Sequence, residues 1–317
     1  MQLILRPIRP EEIPEASHLV DAAYEPQIRE IYGENSPLGK WRHYEESKIE
    51  SYVEREPDGV RVGVWRDKLI TFNVCRSYGY LGWFHTLAVH PTFQKRGLGQ
   101  QAVADAESYL AQQGVTAVGL MTWPTSIKNL AFYQHLGYRL DGLSIYAYRH
   151  TDTPIITGRS PFYTQRYTSI PAAETGRVES AIRALCHSIS LSLDYLPLIS
   201  WASTKVYAET LLIWRNGSLA ALAHSYFFPK MHWAEGKLLL LKPGLSPSDI
   251  RWVLEHLRIW TISHNREAFG LPVDLTTNFA QTYLLPNNFR FFAESMVNMV
   301  KGDNLPPAQF HFVRFSG

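Results

Sequence analysis

An internal repeat constrains the fold of this chain more than any other feature of its sequence. Around Trp65, and again around Trp214, an apolar strand ends in Trp-Arg, and a polar turn and a second apolar strand ending in Ser-Tyr follow. The two tryptophans are 149 positions apart, and the same offset separates Asn129 from Asn278 in a later pair of similar segments. Similarity at a fixed offset is typical of a duplicated structural unit, so the sequence predicts two domains of one fold.

The two halves also share an order of elements. Each half carries an apolar strand (84–89; 238–241), then a segment whose apolar positions step by three and four residues (102–110; 250–260). Such stepping is typical of an amphipathic helix, and another apolar strand follows it in each half. Strands that alternate with helices indicate an α/β fold. Pro, Gly and Thr interrupt both patterns at 149–162, where we expect the halves to join.

Composition limits the function classes. A chain of 317 residues with 45% hydrophobic content can bury two cores of ordinary size. The formal net charge of +2 argues against a nucleic-acid partner. No apolar run approaches the roughly 18 residues that a membrane helix needs. Because Cys75 and Cys186 form neither a disulfide framework nor a metal-ligand pattern, we expect a cytoplasmic protein with no metal and no membrane partner.

The loop between the strand and the helix differs between the halves. In the first half, residues 90–99 include two glycines, a lysine and an arginine. Glycine lets the backbone approach a phosphate closely, and the first N–H groups of a helix have no partner within that helix. The second half has Ser246 and Asp249 at its helix start, where we expect them to form an N-cap. The sequence thus predicts one phosphate site, in the first half.

Three phosphate-binding loops contain glycines at related spacings. A P-loop requires Lys and then Ser or Thr after its last glycine, but two glutamines follow Gly99. Residues 97–102 satisfy the dinucleotide pattern G-x-G-x-x-A, which should follow its strand directly and precede an acidic residue about 20 positions later. Here seven residues intervene after Val89, and residues 117–121 contain no carboxylate. The third pattern, Q/R-x-x-G-x-G/A, is matched by residues 94–99 in every specified position.

With this third pattern the chain closely resembles the GNAT superfamily of N-acetyltransferases, which bind acetyl-CoA through such a loop. A second motif agrees with it, because a predicted helix carries Tyr133 four residues before Gly137 and Tyr138. The resemblance covers about residues 1–150 well and the remainder only in its architecture. The family usually has Asn seven residues before the tyrosine, where this chain has Ser126, so a polar contact with the cofactor is expected to be weaker.

The resemblance implies an α/β fold of two GNAT-like domains, each a twisted mixed sheet flanked by helices. Residues 1–150 are expected to form a catalytic acetyltransferase domain, and residues 151–317 a degenerate copy. The implied activity is acetyl-CoA-dependent transfer of an acetyl group to a primary amine of a small molecule or peptide, by direct attack on the thioester. A non-catalytic acyl-CoA-binding sensor or scaffold and an acyltransferase for longer chains stay as alternatives, and a homodimer stays open.

The resemblance also assigns roles to individual residues. The loop and helix start are expected to hold the pyrophosphate through backbone N–H groups, with the basic side chains adding charge. The strand before the loop is expected to lie beside the pantetheine arm, with one N–H polarising the thioester carbonyl. The predicted cofactor-binding residues are Leu87, Ala88, Val89, Gln94, Lys95, Arg96, Gly97, Leu98, Gly99, Gln100 and Ser126.

Acetyl transfer to an amine needs two proton movements, because an ammonium with a pKa near ~10.4 must lose a proton and the departing thiolate should gain one. Tyr133 matches the family's position for the proton donor to the thiolate. His85 is the candidate base, since it lies two residues before Leu87 on the same strand face and imidazole titrates in the required range. A structural His85 is an equal alternative. The other candidates are Glu45, Glu46 and Glu50 as bases, and Tyr24, Tyr32, Trp41 and Tyr44 as an aromatic wall for the acceptor.

Overall fold

The computed structural model describes residues 2–33 and 44–313, and it divides into two compact units. The units are Met1–Arg139 with Met299–Asp303, and Leu140–Asn298 with Asn304–Gly317. The strand that follows Arg139 therefore lies with the second unit, and a short segment near the end of the chain lies with the first. Trp41, one of the predicted acceptor aromatics, lies outside the described residues.

The first unit is a mixed sheet flanked by helices. Neighbouring strands β1 to β4 are antiparallel, and β4 and β5 are parallel. The strands are β1 (Ile4–Pro7), β2 (Val60–Trp65), β3 (Lys68–Tyr78), β4 (Leu81–Val89) and β5 (Ala117–Thr122). The helices are α1 (Ile13–Tyr32), α2 (Glu46–Arg55), α3 (Leu98–Gln112) and α4 (Ile127–His135).

The second unit repeats the order of the first. Its strands are β6 (Arg139–His150), β7 (Tyr163–Arg166), β8 (Ala208–Arg215), β9 (Ser218–Tyr226), β10 (Trp233–Leu241), β11 (Ala268–Asp274), β12 (Arg290–Gly302) and β13 (His311–Val313). Its helices are α5 (Thr175–Ile189), α6 (Leu196–Ala202) and α7 (Pro247–Ser263). The series β7-α5-α6-β8-β9-β10-α7-β11 matches β1-α1-α2-β2-β3-β4-α3-β5, which confirms the predicted duplication. In place of α4, the second unit has a short π-helical turn, Ala280–Leu284.

A hairpin of the same kind follows both tryptophans of the repeat, although its turn lies one position later relative to Trp214 than relative to Trp65. The turn between β2 and β3 has Arg66 and Asp67 at φ values of 48° and 60°. The turn between β8 and β9 has Asn216 and Gly217 at 49° and 75°. Two successive residues with positive φ form the tight turn whose twist matches that of two antiparallel strands, so the same connection closes both hairpins.

Each unit has its own hydrophobic core. In the first, α1 and α2 pack on the central strands through residues such as Val20, Ile49 and Phe72, which are fully buried. In the second, α7 contributes Val253 and Leu254 to the corresponding core. The buried residues of α7 recur at the helical spacing that the sequence predicted for this helix.

The fold opens beside β4. The parallel register pairs Leu81–Trp83 of β4 with Ala117–Gly119 of β5. Beyond these residues the two strands no longer pair with each other, so they separate toward their carboxyl ends. The indole of Trp83 lies over Gly119, where a Cβ would collide with the ring. On its other edge β4 has a bulge, because Asn73 of β3 stands opposite both Thr86 and Leu87. The opening and the bulge therefore lie on the same stretch of β4.

Candidate functional site

A cavity of about 510 Å³ occupies the opening between β4 and β5 in the first unit. It is bounded by the carboxyl ends of the two strands, by α1, by α4 and by the start of α3. In an open α/β sheet, ligands bind in such a crevice outside the carboxyl ends of the strands. The cavity therefore lies where the sequence predicted the cofactor.

Most of the predicted site residues line this cavity. They are His85, Leu87, Val89, Gln94, Lys95, Gly97, Leu98, Gly99, Gln100 and Tyr133. Ala88 does not, because strand alternation turns its side chain into the core of the unit. Arg96 is exposed, with its guanidinium carbon 5.5 Å from the ring centroid of Phe93, and Ser126 stands at the N-cap position of α4. Neither Arg96 nor Ser126 reaches the cavity lining.

The start of α3 is open to an anion. Gly97 occupies the N-cap position at φ 76° and offers no side chain to bond the first N–H groups, and the first turn contains no acidic residue. Lys95, at φ 60°, also adopts the left-handed conformation and lines the cavity. The side-chain amide of Gln94 donates to the carbonyl oxygen of Val89 at 3.1 Å, which ties the loop to β4. Partial positive charge at a helix N-terminus and a nearby ammonium favour a bound phosphate.

The second unit closes its own helix start. Ser246 Oγ accepts from the backbone N–H of Asp249 at 3.2 Å, and Asp249 Oδ2 accepts from the N–H of Ser246 at 3.0 Å, which confirms the predicted N-cap. Arg215 Nη1 also donates to Asp249 at 2.6 Å. Burial opposes ionisation of Asp249, but these hydrogen bonds and Arg215 hold the pKa of its carboxyl below the usual value. A carboxylate therefore stands where the first unit has room for a phosphate.

The C-terminal strand fills the opening in the second unit. Strands β10 and β11 pair only near their starts, and β13 then pairs with Leu238–Leu240 of β10 on the same edge. Phe312 of β13 is 2% exposed and packs against Phe279, with ring centroids 4.4 Å apart. His311 lies 2.5 Å from the hydroxyl of Tyr195, and burial lowers its pKa to about 3, so it is neutral. The sequence analysis did not foresee this strand.

Tyr133 lies on α4 among aromatic neighbours and is 9% exposed. Its ring centroid is 6.1 Å from that of Phe84 and 5.9 Å from that of Tyr138. No described residue forms a hydrogen bond with its hydroxyl, and the side chain lines the cavity. Burial raises the pKa of Tyr133, so the phenol keeps its proton at neutral pH. This side chain can therefore donate a proton to a group bound in the cavity.

Tyr24 of α1 approaches the same part of β4 from the other side of the cavity. Its hydroxyl donates to the carbonyl oxygen of Leu87 at 3.4 Å. Burial, and secondarily the nearby Tyr133, raise the pKa of Tyr24. Its ring packs edge-on against Trp123, whose Nε1 donates to the hydroxyl of Tyr32 at 3.0 Å. Tyr24 and Trp123 thus line one end of the cavity, and Tyr32 bonds Trp123 from outside the lining.

His85 lines the cavity beside Thr86. Its Nδ1 lies 2.9 Å from Thr86 Oγ1, and its ring meets the ring of Tyr52 edge-on with centroids 5.2 Å apart. The three glutamates considered as alternative bases, Glu45, Glu46 and Glu50, are exposed and lie outside the cavity lining. Among the candidate bases named from the sequence, His85 is therefore the one positioned at the cavity.

The sequence analysis missed several cavity residues on α4. Lys128, Asn129 and His135 line the cavity together with Tyr133. Asn129 Nδ2 donates to Thr122 Oγ1 at 3.4 Å, which directs a polar amide toward the cavity one turn after Ser126. Helical spacing was the available signal for Asn129, because a position four residues before Tyr133 shares its face. No helix in the described part of the chain is long and apolar enough to cross a membrane, and the described residues form no His, Cys, Asp or Glu cluster able to hold a metal.

Comparisons with known proteins agree with this geometry. Residues 25–138 match the model of the Acetyltransferase (GNAT) family. No curated protein sequence matches the chain. Among solved structures, a candidate acetyltransferase from Pyrococcus horikoshii is 14% identical with a TM-score of 0.64, covering 98% of this chain and 93% of its own. A GCN5-related N-acetyltransferase from Sphaerobacter thermophilus is 14% identical with a TM-score of 0.63, covering 96% of this chain and 98% of its own.

A third similar structure carries two domains of this kind. A tandem GNAT protein from the clavulanic acid biosynthesis pathway is 10% identical with a TM-score of 0.55, covering 96% of this chain and 100% of its own. The resemblance predicted from the loop motif is thus confirmed: the first unit contains a GNAT domain, and the whole chain has a tandem GNAT fold. Members of the family that residues 25–138 match are acyltransferases that use acyl-CoA.

Proposed function

We propose that this protein transfers the acetyl group of acetyl-CoA to a primary amine of a small molecule or peptide. One observation carries the proposal: the uncapped start of α3 and the protonated phenol of Tyr133 meet in a single cavity beside β4. A phosphate-binding helix start and a proton donor for a thiolate are the two parts that this chemistry requires. We assign catalysis to the first unit, and a structural role to the second.

The cofactor is proposed to lie along β4. Backbone N–H groups at 94–100 bind the pyrophosphate, and Lys95 and Lys128 supply positive charge from two sides of the cavity. Leu87 and Val89 face the pantetheine arm. The bulge opposite Asn73 interrupts the regular ladder at Leu87, which favours a backbone N–H aimed at the thioester carbonyl.

The proposed reaction is a direct displacement. The acceptor ammonium gives one proton to His85 and becomes a free amine. The amine nitrogen attacks the thioester carbon, so a C–N bond forms and the C–S bond breaks. The CoA thiolate leaves with the electron pair of that bond and takes the proton of Tyr133. The acetylated nitrogen then loses its extra proton to solvent and becomes a neutral amide, Tyr133 regains a proton from solvent, and His85 releases the proton it took. General acid and base groups of this kind each contribute roughly 10²- to 10⁴-fold to rate.

Tyr24 supports acetyl rather than a longer acyl chain. Its hydroxyl reaches the carbonyl oxygen of Leu87, so its ring stands beside the strand position proposed for the thioester. A long apolar chain needs a deep apolar channel beyond Leu87, and the Tyr24 and Trp123 rings occupy this region. The position of Tyr133 in the cavity likewise favours an enzyme over a sensor that binds acyl-CoA without turning it over.

The test is thiol release from acetyl-CoA in the presence of an amine panel, with propionyl-, butyryl- and hexanoyl-CoA in parallel. We expect amine-dependent thiol release that falls as the acyl chain grows, and acetylated amine confirmed by mass spectrometry. Gly97→Asp serves as the control, because a carboxylate at the α3 start repels the pyrophosphate. Gly97 has a φ of 76°, a conformation that Asp adopts more readily than most residues, and a thermal denaturation curve of the variant checks its fold. CoA binding without thiol release from any amine would favour the sensor, and faster turnover of hexanoyl-CoA would favour the longer chain.

A further inference from the structure

Thr86 has an unusual backbone conformation at the centre of the site. Its φ is 56°, in the left-handed region that β-branched residues rarely enter. It occupies the bulge of β4, where Asn73 stands opposite both Thr86 and Leu87. Unfavourable conformations of this kind persist where the surrounding structure holds them, and they concentrate at functional sites. Here the conformation brings the Thr86 hydroxyl between the His85 imidazole and the hydroxyl of Tyr44.

These side chains form a hydrogen-bonded series. His85 Nδ1 lies 2.9 Å from Thr86 Oγ1, and Thr86 Oγ1 lies 3.2 Å from the hydroxyl of Tyr44. The Tyr44 hydroxyl donates to the hydroxyl of Tyr52 at 3.3 Å. Tyr44 and Tyr52 are buried at 8% exposure, so the far end of the series is shielded from water.

The donor and the acceptor of each hydrogen bond in the series follow from the number of protons that each hydroxyl carries. A hydroxyl carries a single proton. Tyr44 uses its proton toward Tyr52, so Thr86 must donate toward Tyr44. Thr86 then has only lone pairs left for His85, and the contact at 2.9 Å requires a proton on Nδ1. In a neutral imidazole with a proton on Nδ1, the lone pair lies on Nε2.

We propose that Thr86 and Tyr44 are positioning residues that hold His85 in the tautomer whose Nε2 accepts the proton of the acceptor ammonium. The proposal rests on the function proposed above for His85. In this step an N–H bond of the ammonium breaks, Nε2 gains the proton, and the imidazolium retains its Nδ1–H bond to Thr86. Without the Thr86 hydroxyl, nothing in this series selects between the two tautomers, and the ring loses the bond that orients it.

Burial keeps the phenol of Tyr44 protonated, although a nearby cation opposes this form. Lys48 Nζ lies 4.8 Å from the ring centroid of Tyr44, and the Arg76 guanidinium lies 5.2 Å from that of Tyr52. Arg76 has Glu56 at 3.8 Å as a partial counter-charge. Burial raises the pKa of Tyr44 despite its hydrogen bonds, so the phenol stays protonated. A protonated Tyr44 can bond both neighbours, which the series requires.

The tautomer can be measured without turnover. Long-range ¹H–¹⁵N NMR of the full chain labelled with ¹⁵N-histidine distinguishes a protonated from an unprotonated ring nitrogen, and His85→Gln assigns the signal by its loss. We expect wild-type His85 to carry its proton on Nδ1. Thr86→Val keeps the β-branched shape and removes the hydroxyl, so it should give mixed tautomers. Tyr44→Phe is a second variant with the ring retained, and it frees Thr86 to donate toward His85 instead.

Kinetics on the same variants complete the test. Thr86→Val should lower kcat roughly tenfold or more with CoA affinity unchanged, and Thr86→Ser should restore both kcat and the single tautomer. The matched control is Thr92→Val, because Thr92 Oγ1 also lies 2.9 Å from a histidine nitrogen, His90 Nδ1, but at an exposed site outside the cavity lining. This control should alter the His90 signal alone.

The outcomes separate the two proposals. Wild-type protein that acetylates an amine while His85 carries its proton on Nε2 overturns the positioning role and leaves the acetyltransferase function standing. Full kcat in Thr86→Val, or in His85→Gln, overturns it as well. Wild-type protein that turns over no amine, with His85 protonated on Nδ1, refutes the proposed function and the catalytic meaning of the tautomer with it.

Discussion

Removal of one hydroxyl tests the role of Tyr133. Tyr133→Phe keeps the aromatic ring among Phe84, Phe132 and Tyr138. No described residue bonds the hydroxyl that is lost, so the variant deletes no intramolecular hydrogen bond among them. We therefore expect the free energy of unfolding to change by less than ~0.5 kcal/mol, whereas a typical bonded hydroxyl contributes about 1 kcal/mol. If the phenol protonates the thiolate, kcat should fall roughly 10²-fold, equivalent to ~2.7 kcal/mol of activation free energy.

Tyr138 provides a matched control in the same aromatic cluster. Its hydroxyl donates to Glu107 Oε1 at 2.8 Å, and the residue is 2% exposed. Tyr138→Phe removes a hydrogen bond to a carboxylate that Lys301 also holds, so it should lower the free energy of unfolding by about 1 to 2 kcal/mol. Tyr138 does not line the cavity, and we expect kcat within about threefold of wild type. Tyr133→Phe should thus lower turnover and keep stability, whereas Tyr138→Phe should lower stability and keep turnover.

The assay is thiol release from acetyl-CoA with the best amine of the panel, beside urea denaturation and CoA titration of both variants. The expected pattern is a large loss of kcat with normal stability for Tyr133→Phe, and the reverse for Tyr138→Phe. Tyr133→Phe with normal kcat and lowered stability would remove Tyr133 from the mechanism. Equal loss of kcat in both variants would mean that ring packing, and not proton donation, controls the rate.

Three further predictions concern the rest of the chain. Calorimetric titration with CoA should give one site per chain. Gly97→Asp should weaken the affinity of this site at least roughly tenfold, and Lys242→Glu in the loop of the second unit should leave the affinity unchanged. Two equal sites would contradict the closed helix start of the second unit. Phe312→Ala should lower the free energy of unfolding by about 3 to 5 kcal/mol and create no second CoA site, and a loss under about 1 kcal/mol would show that β13 does not hold its place. Arg6 donates a hydrogen bond to the Glu12 carboxylate and holds the pKa of Glu12 below its usual value. The stability that this pair contributes is therefore present above the unfolded-state pKa near ~4.3, and it is lost as pH falls through the lower folded-state pKa. Glu12→Gln should therefore flatten the decline of stability between about pH 5 and about pH 2 in urea denaturation, and an unchanged decline would contradict the assignment.

The order of elements and the uncapped glycine loop before α3 could be predicted from the sequence, because both depend on local patterns. Apolar residues at helical spacing predicted α3 and α7, and the Trp-Arg repeat around Trp65 and Trp214 marked the matching hairpins. The uncapped glycine at the start of α3 and the Ser246–Asp249 cap of α7 follow from the residue types at single positions. Such features depend on neighbours within a few residues, so the chain alone determined them.

The remaining features depend on contacts between segments far apart in the chain. Thr86 meets Tyr44 across 42 positions, and the Tyr24 hydroxyl meets Leu87 across 63. Nothing near Thr86 in the sequence indicates the bulge, since the register with β3 creates it. The strand β13 illustrates the same limit, because three residues near the end of the chain carry no pattern that reveals their partner in β10. Every residue offers a backbone carbonyl to a neighbouring strand, and every residue but proline also offers an N–H, so local sequence predicts a strand and only the packed tertiary structure selects its neighbour.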